Sequence, residues 1–167
     1  MEMKISRARL YCFYIISILV LFYMISKSLK ETKKIAEEFI NKKIQAEKEG
    51  ATIIGLFGDL GSGKTTFTQF LAKKLGIKEI ITSPTFVLEK IYAIKNKKGF
   101  DKLIHIDAYR LESSQELINL GFKEISKDSK NLILIEWPER VAGALPKELI
   151  KINFKFISEF EREINML

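Results

Sequence analysis

The sequence has almost no cysteine or histidine. Its 167 residues include one of each, Cys12 and His105. One cysteine cannot form a disulfide within the chain, and cysteine-based metal sites use several cysteines. Because no second histidine is present, His105 is interpreted as a structural residue or as one that supports a neighbouring functional group.

Arginine is scarce in most of the chain as well. After residue 23 the sequence contains only Arg110, Arg140 and Arg162, which are widely spaced. Small-molecule kinases of this size usually close an arginine-bearing lid over the transferred phosphoryl group, because its charge must be neutralised. No stretch predicts such a lid, and this argues against a small-molecule kinase.

Repeats, low-complexity tracts and linkers are also missing after residue 28. Hydrophobic residues make up 47% of the chain and charged residues 29%, which is typical of a globular protein. A chain of 167 residues with this composition predicts a single domain. The formal charge of +7 permits an acidic or nucleic-acid partner without requiring one, because most of the excess is lysine spread over helix faces.

One uncharged stretch lies near the start of the chain. Residues 10–26 carry no charge, and Lys4, Arg7 and Arg9 precede them. A membrane anchor, a secretory signal, and a mis-assigned start for which Met24 is the real initiator all fit this pattern. The stretch is at the lower length limit for a membrane span, and no small-residue cleavage site follows it. We therefore interpret residues 1–23 as a hydrophobic extension that results from a mis-assigned start, with a membrane anchor as the alternative if these residues are translated. We predict a domain over residues 24–167.

The most specific motif is a glycine-rich loop. Residues 58–65 match G-x-x-x-x-G-K-[ST] at every required position: Gly58, Asp59, Leu60, Gly61, Ser62, Gly63, Lys64 and Thr65. Residues 51–57 predict a buried strand before the loop, and residues 66–75, beginning at Thr66, predict a helix after it. This context predicts a nucleotide-binding loop in which Lys64 contacts the β- and γ-phosphates and the Thr65 hydroxyl binds Mg²⁺.

Two acidic residues follow predicted strands. Glu136 ends the aliphatic stretch 131–136, as an acid does in a Walker B strand, and Asp107 ends the stretch 102–107. Both are candidates for the metal, and Glu136 is assigned to it because its strand is the more completely apolar. Asp107 is interpreted as a metal or water-positioning group, with a helix cap or a partner for Arg110 as the alternative.

A short loop of hydroxyl residues lies between the glycine-rich loop and Asp107. Ser83, Pro84, Thr85 and Phe86 stand about one strand and one helix after the loop, where P-loop enzymes commonly have a switch that senses the γ-phosphate. The same residues also fit an ordinary turn.

The remaining patterns predict the rest of the fold. An S-x-x-E capping box at Ser28 and Glu31 predicts a helix up to about Gly50. Its apolar face is expected to contain Leu29, Thr32, Ile35, Ala36, Phe39 and Ile40. Residues 86–94 and 102–107 predict a β-hairpin around a turn at 96–99. A short capped helix is expected from Ser113 to Gly121, and strands are expected at 150–156 and 161–167.

Taken together, these motifs resemble the TsaE family, the small bacterial ATPases of tRNA threonylcarbamoyladenosine synthesis. The resemblance lies in residues 58–67, 83–86, 105–111 and 136–139, and covers about residues 24–164. It implies an α/β P-loop NTPase fold with a mostly parallel central sheet, flanking helices and an inserted β-hairpin. It also implies Mg²⁺-dependent ATP hydrolysis in the cytoplasm with a TsaB–TsaD pair, which would bring the chain to tRNA indirectly.

The resemblance also implies roles for individual residues. Lys64 and the loop amides would hold phosphates, Thr65 and Glu136 would hold Mg²⁺, Asp107 would be the essential acid, and residues 83–86 would form the switch loop. The alternatives are a small-molecule kinase and an interaction module whose docking depends on nucleotide with little turnover. No group within the chain obviously completes the transition-state charge, so we expect a slow ATPase that partners accelerate.

Overall fold

The computed structural model describes residues 23–46, 49–95 and 99–167, and in this part of the chain seven strands form a single sheet. The strands are β1 (Tyr23–Ser26), β2 (Thr52–Phe57), β3 (Glu89–Ala93), β4 (Lys102–Asp107), β5 (Asn131–Glu136), β6 (Ile150–Phe156) and β7 (Arg162–Met166). The helices are α1 (Leu29–Lys43), α2 (Lys64–Lys74), α3 (Ser114–Asn119) and α4 (Phe122–Ile125), with a 3₁₀ segment at Pro138–Ala144.

The order of the strands across the sheet is β1-β7-β6-β2-β5-β4-β3. The four central strands β6, β2, β5 and β4 are parallel, and the outer pairs are antiparallel. The predicted hairpin is formed by β3 and β4, and β4 is at the same time a parallel neighbour of β5. The predicted α/β fold with a mostly parallel central sheet is confirmed.

Helices cover both faces of the sheet. On one face the larger core packs α1 and α2 against the strands, with Phe67 lying between Phe39 and Phe154. On the other face, a smaller core joins α3, α4 and the 3₁₀ segment to the sheet through Leu117, Phe122 and Val141. Because β2 and β5 are covered on both faces, their residues are almost all buried.

The capping box predicted for α1 is present. The Ser28 hydroxyl accepts a hydrogen bond from the Glu31 N–H, and the Glu31 carboxylate accepts one from the Lys27 N–H. Thr32, Ala36, Phe39 and Ile40 are buried as predicted. Leu29 is 57% exposed, so its assignment to the apolar face is wrong; it is the first residue of α1.

Other element boundaries also differ from the predictions. β3 begins at Glu89 and not at residue 86, because the Pro84 carbonyl accepts hydrogen bonds from the N–H groups of Val87 and Leu88 and so closes a turn. α2 begins at Lys64, two residues before the predicted start. The Ser113 hydroxyl donates to the Glu116 side chain and does not cap α3, and the short α4 has no counterpart among the predictions.

Two predictions fall wholly or largely outside the described residues. The extension at residues 1–23 shares only Tyr23 with the described part, and the turn at 96–99 shares only Gly99. Within the ranges that are described, no helix is both long enough and apolar enough to cross a membrane.

Candidate nucleotide-binding site

The glycine-rich loop connects β2 to α2 at the carboxyl ends of the parallel strands, where ligands bind in open α/β sheets. Gly58, Gly61 and Gly63 have φ values of 127°, 77° and 103°, which side chains disfavour. At Gly58 the requirement is also steric, since a Cβ atom would stand 2.1 Å from the Phe154 carbonyl oxygen. The loop can therefore keep this path against β6 only with glycine at position 58.

The first turn of α2 has free donors. The N–H groups of Lys64, Thr65 and Thr66 precede the first helical hydrogen bond, which runs from the Phe67 N–H to the Gly63 carbonyl. The Ser62 hydroxyl is buried and has no hydrogen-bond partner among the described residues. These donors, with the positive end of the helix dipole, fit an anion such as a phosphate.

Lys64 lies folded over the loop. Its Nζ donates to the carbonyl oxygens of Gly58 and Asp59, at 2.5 and 2.8 Å, and lies 4.1 Å from the centre of the Trp137 ring. Burial lowers the pKa of the Lys64 ammonium group, while the nearby carboxylates, Glu136 foremost, act in the opposite direction. The ammonium group is thus held close to the loop by neutral acceptors that a phosphate can replace.

Glu136 connects the loop to the Walker B-like strand. The Thr65 hydroxyl donates to both of its carboxylate oxygens, at 2.8 and 3.1 Å, and His105 Nε2 lies 2.9 Å from Oε1. Glu136 is 3% exposed and His105 is fully buried. His105 therefore supports a site residue, which is one of the two interpretations drawn from the sequence.

Asp107 lies beside Glu136, because the two are register partners at the ends of β4 and β5. Its Oδ2 accepts hydrogen bonds from the Ser83 and Thr85 hydroxyls, at 2.7 and 2.5 Å, and its Oδ1 accepts one from the Tyr109 N–H. The hydroxyl loop is thereby bound to a carboxylate at the same sheet edge as the glycine-rich loop.

These groups surround one cavity of about 360 Å³. Of the residues singled out from the sequence, it is lined by Leu60, Gly61, Gly63, Lys64, Thr65, Thr66, Ser83, Thr85, Asp107 and Glu136. Gly58 and Asp59 take part only through the carbonyls that bind Lys64, and Ser62 and Pro84 are buried. Phe86 is 83% exposed outside the cavity, where the Arg110 guanidinium lies 4.6 Å from its ring centre.

Two aromatic residues complete the lining without having been assigned to it from the sequence. Tyr109 and Trp137 both line the cavity, and their ring centres are 5.2 Å apart. Trp137 adopts a left-handed backbone conformation (φ 59°, ψ 47°) directly after β5. The sequence contained one signal for these two aromatic residues, because Tyr109 is two positions after Asp107 and Trp137 directly follows Glu136.

The donor set fits a magnesium nucleotide better than a metal held by protein alone. Nowhere in the described ranges do three histidine, cysteine, aspartate or glutamate side chains form a potential metal-binding group. Mg²⁺ is usually bound by one or two protein oxygens, together with phosphates and water. Thr65 and Glu136 supply oxygens of this kind beside the free loop amides.

Comparisons with known proteins agree with the geometry. The family model described as threonylcarbamoyl adenosine biosynthesis protein TsaE matches residues 26–164. Two curated relatives are called tRNA threonylcarbamoyladenosine biosynthesis protein TsaE. The one from Bacillus subtilis is 38% identical over 135 residues, covering 81% of this chain and 78% of the relative. The one from Rickettsia bellii is 38% identical over 143 residues, covering 85% and 92%.

A solved structure gives the same result. The crystal structure of Bacillus subtilis YdiB superposes with a TM-score of 0.65 and 32% sequence identity. The superposition covers 86% of this chain and 82% of that one, so nearly the whole fold is shared.

Proposed function

This chain belongs to the TsaE family of threonylcarbamoyl adenosine biosynthesis proteins, and on that premise we propose that it is a Mg²⁺-dependent ATPase serving tRNA threonylcarbamoyladenosine synthesis in the cytoplasm. One observation carries the proposal. The Thr65 hydroxyl of the glycine-rich loop is bonded to Glu136, and Asp107 stands beside Glu136 in register. The glycine-rich loop, the two side chains that we propose to bind the metal and a second acid therefore lie together at the carboxyl ends of the parallel strands.

The loop binds the phosphates. The amides of Lys64, Thr65 and Thr66 and the Lys64 ammonium group surround the negative charge, and the glycines let the backbone approach it. When bound, Mg²⁺ supplies positive charge to the phosphate oxygens of ATP. Thr65 and Glu136 would hold it, and His105 keeps the Glu136 carboxylate in its orientation.

Asp107 orients the attacking water in this proposal. Asp107 is 3% exposed, and two hydroxyls and a backbone N–H fix the direction of its carboxylate. Ser83 and Thr85 belong to the loop before β3, so the carboxylate and this loop share a hydrogen-bond network. Entry of a γ-phosphate between them would exchange those hydrogen bonds and move the loop, which is the behaviour of a switch.

The partners in this proposal are TsaB- and TsaD-type proteins, through which the chain acts on tRNA. No arginine is among the residues that line the cavity in the described ranges. Charge on the transferred phosphoryl group is therefore incompletely neutralised, and turnover by the chain alone is slow. The exposed side chains of Leu60 and Phe86 near the cavity offer apolar surface for a partner that completes the site.

Phosphate release by the purified full-length chain with ATP and Mg²⁺ tests the proposal. We expect slow release that a TsaB–TsaD pair accelerates at least about tenfold, because partner-supplied groups in related chemistry act by that much or more. Acceleration below twofold would contradict the partner assignment. If the chain binds the TsaB–TsaD pair only with ATP but hydrolyses ATP no faster, the alternative of a nucleotide-dependent interaction module is supported instead.

The nucleotide site itself is tested with Lys64→Ala. Lys64 Nζ bonds only to carbonyls of its own loop, so the fold is expected to persist while the affinity for ATP falls at least about tenfold. Lys73→Ala, a lysine on the last turn of α2, serves as the matched control with unchanged affinity. Equal affinity of wild type and Lys64→Ala would show that the loop does not bind phosphate.

A further inference from the structure

The balance of charge changes from one side of the cavity to the other. The free amides and the Lys64 ammonium group lie at the glycine-rich loop, whereas Asp107 and Glu136 bring two carboxylates to the ends of β4 and β5. In the proposed function, negative charge is spread over the oxygens around the γ-phosphorus while ATP is hydrolysed. The side of the cavity that has the two carboxylates therefore needs a positive group besides Mg²⁺.

A pair of aromatic rings connects the cavity to an arginine. Tyr109 lines the cavity, and its N–H donates to Oδ1 of Asp107, the acid that we propose to orient the water. The guanidinium carbon of Arg140 lies 5.2 Å from the centre of the Tyr109 ring. Trp137, the other ring of the pair, lies beside Lys64. One end of the pair therefore contacts the lysine of the loop, and the other end contacts Arg140.

The backbone of Arg140 is held in place by the turn that follows β5. Its N–H donates to the Trp137 carbonyl at 3.1 Å, within the 3₁₀ segment Pro138–Ala144. Pro138 and Val141 of this segment are buried, and Val141 belongs to the smaller core. Arg140 itself is exposed, so its side chain can change direction while its backbone stays where it is.

The guanidinium group of Arg140 is held only weakly in its present position. Among the described residues no carboxylate forms an ion pair with it, and its side chain contacts the face of Tyr109. A cation on an exposed ring is weakly bound, whereas a guanidinium group binds phosphate oxygens through strong charge-assisted hydrogen bonds. Negative charge in the cavity would therefore draw the guanidinium group from the ring to the phosphate.

We propose that Arg140 is a catalytic residue of this site, an arginine that the chain itself supplies to the γ-phosphate. It leaves the Tyr109 ring and binds the γ-phosphate oxygens while a water oxygen bonds to the γ-phosphorus. The bond from that phosphorus to the bridging oxygen breaks, its electron pair stays with ADP, and both protons of the water leave on the phosphate product. Arg140 neutralises charge and transfers no proton. The inference rests on the proposed function, because it needs ATP hydrolysis at the loop.

The position of Arg140 on Tyr109 fits the slow turnover that we expect of the chain alone. In this position no arginine of the described ranges lines the cavity. A TsaB–TsaD pair would accelerate hydrolysis by favouring the inward position of Arg140. Arginines that act on a transferred phosphoryl group raise turnover by about 10³- to 10⁵-fold, so the acceleration should depend on this residue.

Turnover and nucleotide affinity of the full-length chain with a TsaB–TsaD pair test the proposal. We expect Arg140→Gln to lower kcat for ATP at least about hundredfold and to leave the affinity for Mg·ADP within about twofold, because only the transition state uses the guanidinium group. Arg140→Lys should recover only part of the loss, since lysine lacks the planar pair of donors. Lys147→Gln removes an exposed positive charge shortly after the same 3₁₀ segment and is the matched control with unchanged kcat.

Aluminium fluoride distinguishes the transition state from the ground state. With Mg·ADP it imitates the transferred phosphoryl group, so it should tighten binding of Mg·ADP to the wild type with the pair at least about tenfold, and Arg140→Gln should lose this gain. An unchanged gain in Arg140→Gln would overturn the proposal, as would a gain lost only in Arg110→Gln, whose guanidinium group stacks on Phe86 outside the cavity. A wild type that binds Mg·ADP but gains nothing from aluminium fluoride would overturn it too. A wild type that binds no nucleotide would contradict the proposed function itself.

Discussion

Gly58 and Gly61 share a positive φ but have different surroundings. A Cβ atom on Gly58 would overlap the Phe154 carbonyl, whereas one on Gly61 would meet nothing within 4 Å. We expect Gly61→Ala to lower the free energy of unfolding by about 1 kcal/mol, the left-handed backbone term alone. Gly58→Ala should lower it by about 3 kcal/mol or more, because steric overlap adds to that term. Urea unfolding measures both, and equal effects would contradict the close approach of the loop to β6.

The hydrogen bond from Thr85 to Asp107 gives a prediction about activity. Thr85→Val preserves shape but removes the donor, so ATP hydrolysis should slow about tenfold while affinity for ATP stays within twofold. Thr82→Val is the matched control, since the Thr82 hydroxyl is bonded to Lys90 and not to Asp107. If Thr85→Val and Thr82→Val hydrolyse ATP at the same rate, the Thr85 hydroxyl does not contribute to catalysis.

Site residues that belong to a contiguous motif could be predicted from the sequence. Lys64 and Thr65 follow from the loop pattern, and Glu136 follows from the aliphatic strand before it. The nearness of Trp137 to the site follows from its place next to Glu136, but its entry into the cavity lining depends on a left-handed backbone turn that tryptophan does not favour.

At the scale of elements, β3 contains a poorly accommodated carboxyl group. One oxygen of Glu89 is buried without a hydrogen-bond partner, and burial raises the pKa of Glu89 above its usual value of 4.5. The folded state therefore binds this proton more tightly than the unfolded state. The loss of stability caused by burying the Glu89 carboxylate is absent below pH 4.5 and develops as the pH rises through the folded-state pKa.

Glu89→Gln should accordingly raise the melting temperature at pH 7. The difference from wild type should shrink on acidification and vanish below pH 4.5, where Glu89 is protonated in both states. Glu112→Gln, at an exposed position, is the control with no such trend. A stabilisation independent of pH would show that ionisation of Glu89 is not its cause.

Helices and strands with a clear apolar pattern could be predicted from the sequence, but their first and last residues could be predicted less well. The apolar stretches of β2 and β5 and the cap of α1 are local properties. The start of β3 depends instead on the hydrogen bonds by which the Pro84 carbonyl closes a turn, and the exposure of Leu29 depends on what packs against the first turn of α1. Neither the turn nor this packing is contained in the periodicity of the sequence.

At the scale of the whole molecule, the larger core supports the helix that begins the site. Phe67 in α2 is fully buried between Phe39 and Phe154, so Phe67→Ala should lower the free energy of unfolding by about 3–5 kcal/mol. ATP at 100 times its dissociation constant should restore about 2.7 kcal/mol, because it binds only the folded state. Ile80→Ala, at an 86% exposed side chain, should change stability by less than about 0.5 kcal/mol.

Denaturant unfolding with and without Mg·ATP measures these shifts. If Phe67→Ala still folds but Mg·ATP does not raise its stability, the N–H groups at the start of α2 are no longer positioned to bind phosphate. A wild type that does not respond would contradict nucleotide binding itself.

The pairing of β1 with β7 has a practical consequence for handling the protein. Tyr23 is the register partner of Asn165, and both strands have these ends at the sheet edge opposite the carboxyl ends of the parallel strands. The described part of the chain thus begins at Tyr23 and ends at Leu167 on the side of the sheet opposite the glycine-rich loop. A linker joined directly at either of these two residues would therefore leave the mouth of the cavity facing away from the attachment point.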